Sequence, residues 1–220
     1  AHATMEPMNC TAHFHDGICE LWAPTQSPQD VQRAVALAIK LPVDKIIVHV
    51  PLMGGGFGRR LQYDYAVEAA TLAKTVNAPV QVFWTRDDDL QHDFYHPMSV
   101  QYAFASLEKP SLPTIRLALG GYVPTGAWRS VENFTTSFPE QSFIDEMALA
   151  LGRDPYDLRQ ELYGSNPRAL NVINLAAEKS GWGSPLPTGQ GRGMAYFASF
   201  GVTPVAEVAE VSVDADGKVR

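Results

Sequence analysis

The strongest constraint in this 220-residue chain is a glycine cluster set between a strand and a helix. Residues 45–50 (KIIVHV) are rich in β-branched side chains and predict a strand. Residues 64–76 are amphipathic and rich in alanine and predict a helix, broken by Asn77-Ala78-Pro79. Between them lies MGGGFGRR at 53–60. Glycine tolerates positive φ and lets another group come close to the backbone. Successive N–H groups ahead of a helix can cup an anion, and Arg59 and Arg60 offer further donors suited to phosphate. The pattern is neither G-x-x-x-x-G-K-[ST] nor G-x-G-x-x-G, because the glycines fall only at 54, 55, 56 and 58. On the residues alone, a cofactor-binding loop and a plain flexible turn both remain open. Phe57 favours the first, since an aromatic inside a glycine run needs something to pack on.

The rest of the chain reads as a mixed succession of elements. Residues 18–23 and 80–85 predict strands, and Ser27-Pro28 opens a helix with Ser27 as N-cap and Pro28 at its first position. Residues 98–106 and 114–122 alternate as strands. Residues 139–151 predict a helix closed by Gly152, and helices follow from Asp154-Pro155 and over 168–179. The sequence ends in β structure over 193–200 and 205–213, with a turn at 214–217. The fold class is α+β, a mixed α/β arrangement. The linker-like stretch 106–113 (SLEKPSLP) reads either as a plain loop or as a place where sequence has been removed; the chain is divided there into 1–108, carrying the glycine loop, and 109–220, carrying a later Ala-Trp-Arg-Ser turn, the helical block and the terminal hairpin.

A formal net charge of −7 argues against nucleic-acid binding, which needs a basic face. No apolar run predicts a membrane span, and AHATMEPMNC at the start does not read as a signal peptide. Cys10 and Cys19 could pair or remain free thiols. Two thiols do not supply an iron–sulfur cluster, which takes four ligands. His13 and His15 would share a strand face, and His92 and His96 would align if helical, but neither pair has further metal ligands. Asp87-Asp88-Asp89 lacks the alternation and turn glycine of a calcium loop and reads as a solvated helix start or loop. No metal ligand is assigned.

Several separated motifs resemble one family in the same order. ELWAPTQSPQDVQ, KIIVHVPLMGGGFG, APVQVFWTRDDDL and HP, all within residues 20–97, resemble the xanthine dehydrogenase and aldehyde oxidase family of molybdenum hydroxylases. MEPMNCTA at 5–12, GAWRSVENF at 126–134, SFIDEMALALGRDPYDLR at 142–159 and GRGMAYFASFG at 191–201 resemble its isoquinoline 1-oxidoreductase β-subunit branch.

The resemblance implies an incomplete molybdopterin-binding domain of the aldehyde oxidase/xanthine dehydrogenase type. It implies a molybdopterin dinucleotide with molybdenum, in the cytosine form, and no iron–sulfur cluster in this chain. Cofactor contacts would come from Gly55, Gly56, Phe57, Gly58 and Arg59, and from Trp128, Arg129 and Ser130. Glu6 and Leu61 would line the substrate pocket. Leu61 stands where purine-oxidising members carry glutamate, so the substrate implied is a small aldehyde or N-heterocycle. The family's glutamine contact would lie upstream of residue 1. Its catalytic glutamate follows a glycine, and no Gly-Glu pair occurs here, so no catalytic residue is assigned and the chain alone should be inactive. The partner implied is an iron–sulfur small subunit. Related large subunits often carry export signals, which allows a periplasmic as well as a cytoplasmic site; the residues select neither. The alternatives are a cofactor-free scaffold fragment and an unrelated phosphate- or nucleotide-binding module.

Overall fold

The computed structural model describes residues 1–120 and 123–220. By internal contacts the chain forms two compact units, Ala1–Met98 with Gly120–Val131, and Ser99–Leu119 with Glu132–Arg220. The expected division at 108/109 runs differently: it would cut between two paired strands of the second unit. It would also separate Trp128, Arg129 and Ser130 from the unit that contains them.

The first unit is a four-stranded sheet with two helices on one face. Its strands are β1 (Asn9–His15), β2 (Ile18–Trp22), β3 (Ile46–His49) and β4 (Val80–Phe83), in the order β3-β2-β1-β4. β1 runs antiparallel to β2 and β4, while β2 and β3 are parallel. A parallel pair needs a crossover, and α1 (Pro28–Ile39) supplies it. Ser27 starts α1 without capping it: its hydroxyl donates to the Asp30 carboxylate at 2.5 Å. Lys40 ends the helix in the left-handed region. α2 (Asp64–Val76) buries Tyr65, Ala66, Ala69, Ala70 and Ala73. This small-residue face lets the helix lie close to Cys10, Ala12 and Leu21 of the sheet, with Val31, Val35 and Ile39 of α1 completing the core.

Cys10 and Cys19 are free and buried. Phe14 is the cross-strand neighbour of Cys19, so Cys10 lies four residues further along, roughly 13 Å away. That exceeds disulfide reach. Burial pushes the Cys10 thiol up to about 12, with a smaller electrostatic contribution from Cys19, and the Cys19 thiol up to about 11.

The short helix α3 (Arg86–Gln91) makes the aspartate run a helix start, as read, with Asp87 and Asp88 exposed; only Asp89 departs from the solvated reading. Thr85 and Asp88 form a reciprocal capping box, and Asp89 is buried against Arg86 at 2.8 Å. α3 ends at Gln91, so His92 and His96 are not a helical pair.

The second unit contains the pair β5 (Met98–Phe104) and β6 (Thr114–Gly120), except for Met98 at the start of β5 and Gly120 at the end of β6, which belong to the first unit. Gly121 and Tyr122, expected to extend β6, lie outside the described residues. α4 (Asn133–Leu151), α5 (Pro155–Leu162) and α6 (Pro167–Ser180) pack with the hairpin β7 (Gln190–Ser199) and β8 (Thr203–Ser212). α4 begins six residues before the expected Pro139. Proline removes one helical donor, but the turn ahead of it is anchored by the amides and hydroxyls of Thr135 and Thr136, all donating to the Glu132 carbonyl. Ile144, Met147, Leu158, Ile173, Met194 and Tyr196 form the core of this unit. The buried Arg159 is neutralised by Asp145 at 2.7 Å and bonded to Gln141. Among the described residues no helix is long and apolar enough to cross a membrane.

Candidate functional site

The glycine loop leaves the end of β3 and runs into a short 3-10 turn, Arg59–Leu61, ahead of α2. Its glycines are required by what lies behind them. The Gly54 amide donates to the Glu6 carboxylate at 2.5 Å, and the Glu6 amide donates back to the Gly54 carbonyl at 3.2 Å. A Cβ on Gly54 would stand 2.5 Å from Glu6 Cβ. On Gly56 it would stand 2.3 Å from Gln26 Oε1, which also accepts from the Gly58 amide at 3.0 Å. On Gly58, whose φ is +103°, it would lie 1.8 Å from the Ala127 carbonyl oxygen.

The last contact joins the loop to the second predicted segment. Trp128, Arg129 and Ser130 are exposed and follow directly on the carbonyl that Gly58 admits. The turn is tight: the Val131 amide donates to the Trp128 carbonyl at 2.7 Å, and Ser130 and Val131 have φ of +73° and +51°. Phe57 also has positive φ, +54°, and is half-exposed, with its ring folded over Gly55. Three non-glycine residues thus hold left-handed backbone in these two segments, a strain that persists only where surroundings impose it and that concentrates at binding sites.

Arg59 and Arg60 do not serve as phosphate donors, contrary to the reading of the sequence. Both are fully buried. Arg59 makes a forked pair with Asp64 at 2.8 and 2.9 Å, and its guanidinium lies 5.4 Å from the Trp84 ring and 5.1 Å from that of Phe94. Arg60 donates to the carbonyls of Gly55, Pro24, Glu6 and Pro7. A guanidinium this weakly hydrated is well suited to bracing backbone from inside, and neither cation faces outward.

Glu6 likewise turns to the loop instead of lining an open pocket. Its carboxylate accepts from Gly54 and from Asn9 at 2.6 Å, and lies 3.6 Å from Arg60. Burial alone would raise its pKa, but the bonds from Asn9 and Gly54 and the Arg60 charge outweigh it and hold it below the ordinary 4.5. A depressed carboxylate contributes stability above its unfolded value and loses it as pH falls through the folded one. Glu6→Gln should therefore lower the melting temperature at neutral pH. The difference from the parent chain should shrink below pH 4.5, measured by thermal denaturation across the acid range.

Leu61 closes the 3-10 turn and is partly exposed. Gln26 escaped the sequence reading, which placed the family's glutamine contact before residue 1. The structure sets a glutamine from inside the chain against Gly56 and Gly58. Its only local signal is its place between Thr25 and the helix start at Ser27, and the contact itself spans 32 residues. His13 and His15 lie with rings 4.4 Å apart, and among the described residues no group of three or more His, Cys, Asp or Glu side chains is placed to hold a metal ion.

The front of the loop has the chemistry that its back lacks. Gly54 and Gly58 spend their amides on Glu6 and Gln26, whereas those of Gly55, Gly56 and Phe57 meet no acceptor among the described residues. Three successive amides, held by buried arginine and glycine contacts and flanked by an exposed aromatic, fit an oxygen-rich, ring-containing cofactor. This is a candidate cofactor cradle built on an α+β scaffold. The model of the molybdopterin cofactor-binding domain matches residues 1–120, and the chain belongs to that family.

The isoquinoline 1-oxidoreductase subunit beta of Brevundimonas diminuta is 28% identical over 261 residues, covering 94% of this chain and 33% of that protein. The membrane-bound aldehyde dehydrogenase [pyrroloquinoline-quinone] of Gluconacetobacter polyoxogenes is 34% identical over 188 residues, covering 82% of this chain and 23% of that protein. The crystal structure of quinoline 2-oxidoreductase from Pseudomonas putida 86 shares the fold, with a TM-score of 0.70 and 18% identity over 90% of this chain and 34% of that one. The chain thus spans about a third or less of the length of these relatives. The first alignment is longer than the 220 residues of the chain, so that relative carries additional residues within the matched region.

Proposed function

We propose that the amides of Gly55, Gly56 and Phe57, with the Phe57 ring and the 128–130 turn, form one wall of a molybdopterin site. The whole protein is then an oxidoreductase subunit that hydroxylates a small aldehyde or N-heteroaromatic carbon with water-derived oxygen. The observation that carries this reading is the approach of Gly58 to the Ala127 carbonyl, which brings the two segments together where the amides of Gly55, Gly56 and Phe57 meet no acceptor among the described residues.

When bound, the cofactor supplies the two-electron redox chemistry and the activation of water-derived oxygen. This chain supplies orientation. Fixed backbone amides stabilise negative charge without reorganising. Phe57 presents an apolar face that excludes water, and the amide N–H groups of Gln26, whose oxygen is engaged by Gly58, remain available as donors. Trp128, Arg129 and Ser130 flank the cofactor from the adjoining turn. Gly58 and Arg59 act by setting the loop, the second through its Asp64 pair. Leu61 contributes apolar surface on the substrate side, while Glu6 serves that pocket only indirectly, by fixing Gly54. The family resemblance supports the cytosine dinucleotide form and an iron–sulfur small subunit as the electron acceptor; Cys10 and Cys19, both buried within the sheet core, are too few to hold a cluster. The quinone in the name of the Gluconacetobacter relative is not carried over, because the matched family model is that of a molybdopterin domain.

The test is metal and pterin analysis of the purified chain produced in a host that makes the cofactor. Stoichiometric molybdenum, a fluorescent oxidised pterin and released cytidine monophosphate are expected. Phe57→Ala should retain several-fold less cofactor at an unchanged melting temperature. A chain free of both metal and pterin would sink the reading, and a guanine nucleotide would sink the cytosine form alone.

A further inference from the structure

His2 is buried beside the cradle, yet neither its burial nor its bonding is explained by packing alone. Its side chain is 3% exposed and makes contacts far apart in sequence. Nδ1 lies 2.8 Å from Asp93 Oδ1, and Nε2 lies 3.0 Å from the carbonyl oxygen of Ala127. The His2 backbone amide also donates to Asp93. Asp93 in turn stands 3.5 Å from Arg59 Nε, so the same carboxylate touches the glycine loop's own arginine.

The Ala127 carbonyl is the one that Gly58 admits at close range. It is therefore held from two sides: Gly58 leaves room for it, and His2 bonds it. Space alone does not fix a carbonyl, because a neighbour that merely avoids a clash leaves the peptide free to rotate. A directed donor does fix it. We propose that His2 is the positioning residue that locks the 127–130 turn onto the glycine loop, acting through the Ala127 carbonyl while Asp93 holds its ring. This deepens the cofactor-wall reading and rests on it only for its functional meaning.

The chemistry of the partners is consistent with the lock. A carbonyl and an ionised carboxylate only accept, so the two bonds coexist when both ring nitrogens donate. Burial would raise the Asp93 carboxyl, but the bonds from His2 and the Phe94 amide outweigh it and keep it below the ordinary carboxylate value. Asp93 is thus an acceptor, as the arrangement requires. Ser130 and Val131 sit in left-handed backbone, which persists only where the surroundings impose it.

The experiment is hydrogen exchange on the purified 220-residue chain, comparing the parent with His2→Ala, His2→Gln and Asp93→Asn. In His2→Ala, amides of 125–131 should exchange about tenfold faster, as expected for loss of one such bond, with α2 and α6 unchanged. Millimolar imidazole should restore protection in His2→Ala, by filling the vacated ring position, and should fail to do so in Asp93→Asn. His2→Gln keeps a donor for one acceptor only and should fall between; it decides the matter should His2→Ala fail to fold. Unchanged exchange in 125–131 would overturn the proposal, as would a uniform rise across β1–β4 and α2, which marks a plain core residue. Because exchange is read without cofactor, a chain that shows the lock but takes up no molybdenum would defeat the cofactor reading and leave this one standing.

Discussion

Gly58→Ala should cost about 3 kcal/mol or more and should strip the chain of bound cofactor. Two penalties combine at this position. A non-glycine residue at φ +103° bears backbone strain of about 1–3 kcal/mol. The new methyl would also lie 1.8 Å from the Ala127 carbonyl oxygen, in the path of backbone instead of a flexible side-chain tip. Relieving that overlap means moving the loop or the 127–130 turn, an overpacking cost of about 1–3 kcal/mol. Gly17→Ala separates the two penalties. Gly17 has φ +75° in the β1–β2 turn, and nothing lies within 4 Å of its added Cβ. It should therefore show the strain without the overlap. Denaturant unfolding of the two variants checks this, with Gly58→Ala clearly the less stable. Equal losses would mean that the close approach of the two segments is not what demands glycine. Molybdenum content adds the functional half of the comparison: Gly17→Ala should keep it, and Gly58→Ala should lose it.

How far the sequence reveals this arrangement differs between elements for identifiable reasons. α2 was readable to the residue, because its alanine face has helical period and Asn77-Ala78-Pro79 ends it. The terminal hairpin was readable within a few residues, since the aromatics of 193–200 and the valines of 205–213 mark strands on either side of a turn. β1 was harder to see. Its buried positions are Cys10 and Ala12, too small to mark a strand, and its outward residues are threonine and histidine. The first turn of α4 was hidden by the rule that helices start at or after proline, which the Glu132 carbonyl bonds override. At the site, local sequence located the loop but not its orientation. Arg59 and Arg60 read as outward donors because adjacent arginines after glycines resemble an anion site. What turns them inward is Asp64, Trp84 and Phe94 around one, and carbonyls of residues 6, 7, 24 and 55 around the other. Those partners are scattered over ninety residues, and no window of sequence contains them. The same holds for Gln26 and for the His2–Ala127 bond.

Arg60 is where that hidden wiring should matter most. Arg60→Met is expected to destabilise the first unit by about 3–5 kcal/mol, the usual cost of removing one member of a buried charged network. Methionine nearly preserves volume, so the loss reports bonding and not a cavity. The carbonyls of Pro24, Glu6 and Pro7 keep other donors in Tyr65, Thr4 and Asn9. The Gly55 carbonyl loses the only side-chain donor it has among the described residues, Arg60 Nε at 2.9 Å, and the Glu6 carboxylate loses its cation. Arg60→Lys tests whether charge or shape is the working property. A lysine ammonium cannot span carbonyls that a planar fork reaches from three nitrogens, so most of the loss should persist. A lysine variant within about 0.5 kcal/mol of the parent would show that charge alone suffices. The consequence for the cradle follows from which peptide is released. Gly55 offers its amide on the front and its carbonyl to Arg60 on the back, and one peptide plane follows each. Freeing the carbonyl therefore frees the adjoining Gly56 amide to rotate, and a preorganised donor becomes one that must be ordered on binding. Cofactor retention should accordingly fall in Arg60→Lys even at temperatures where the sheet and α2 remain fully folded by circular dichroism.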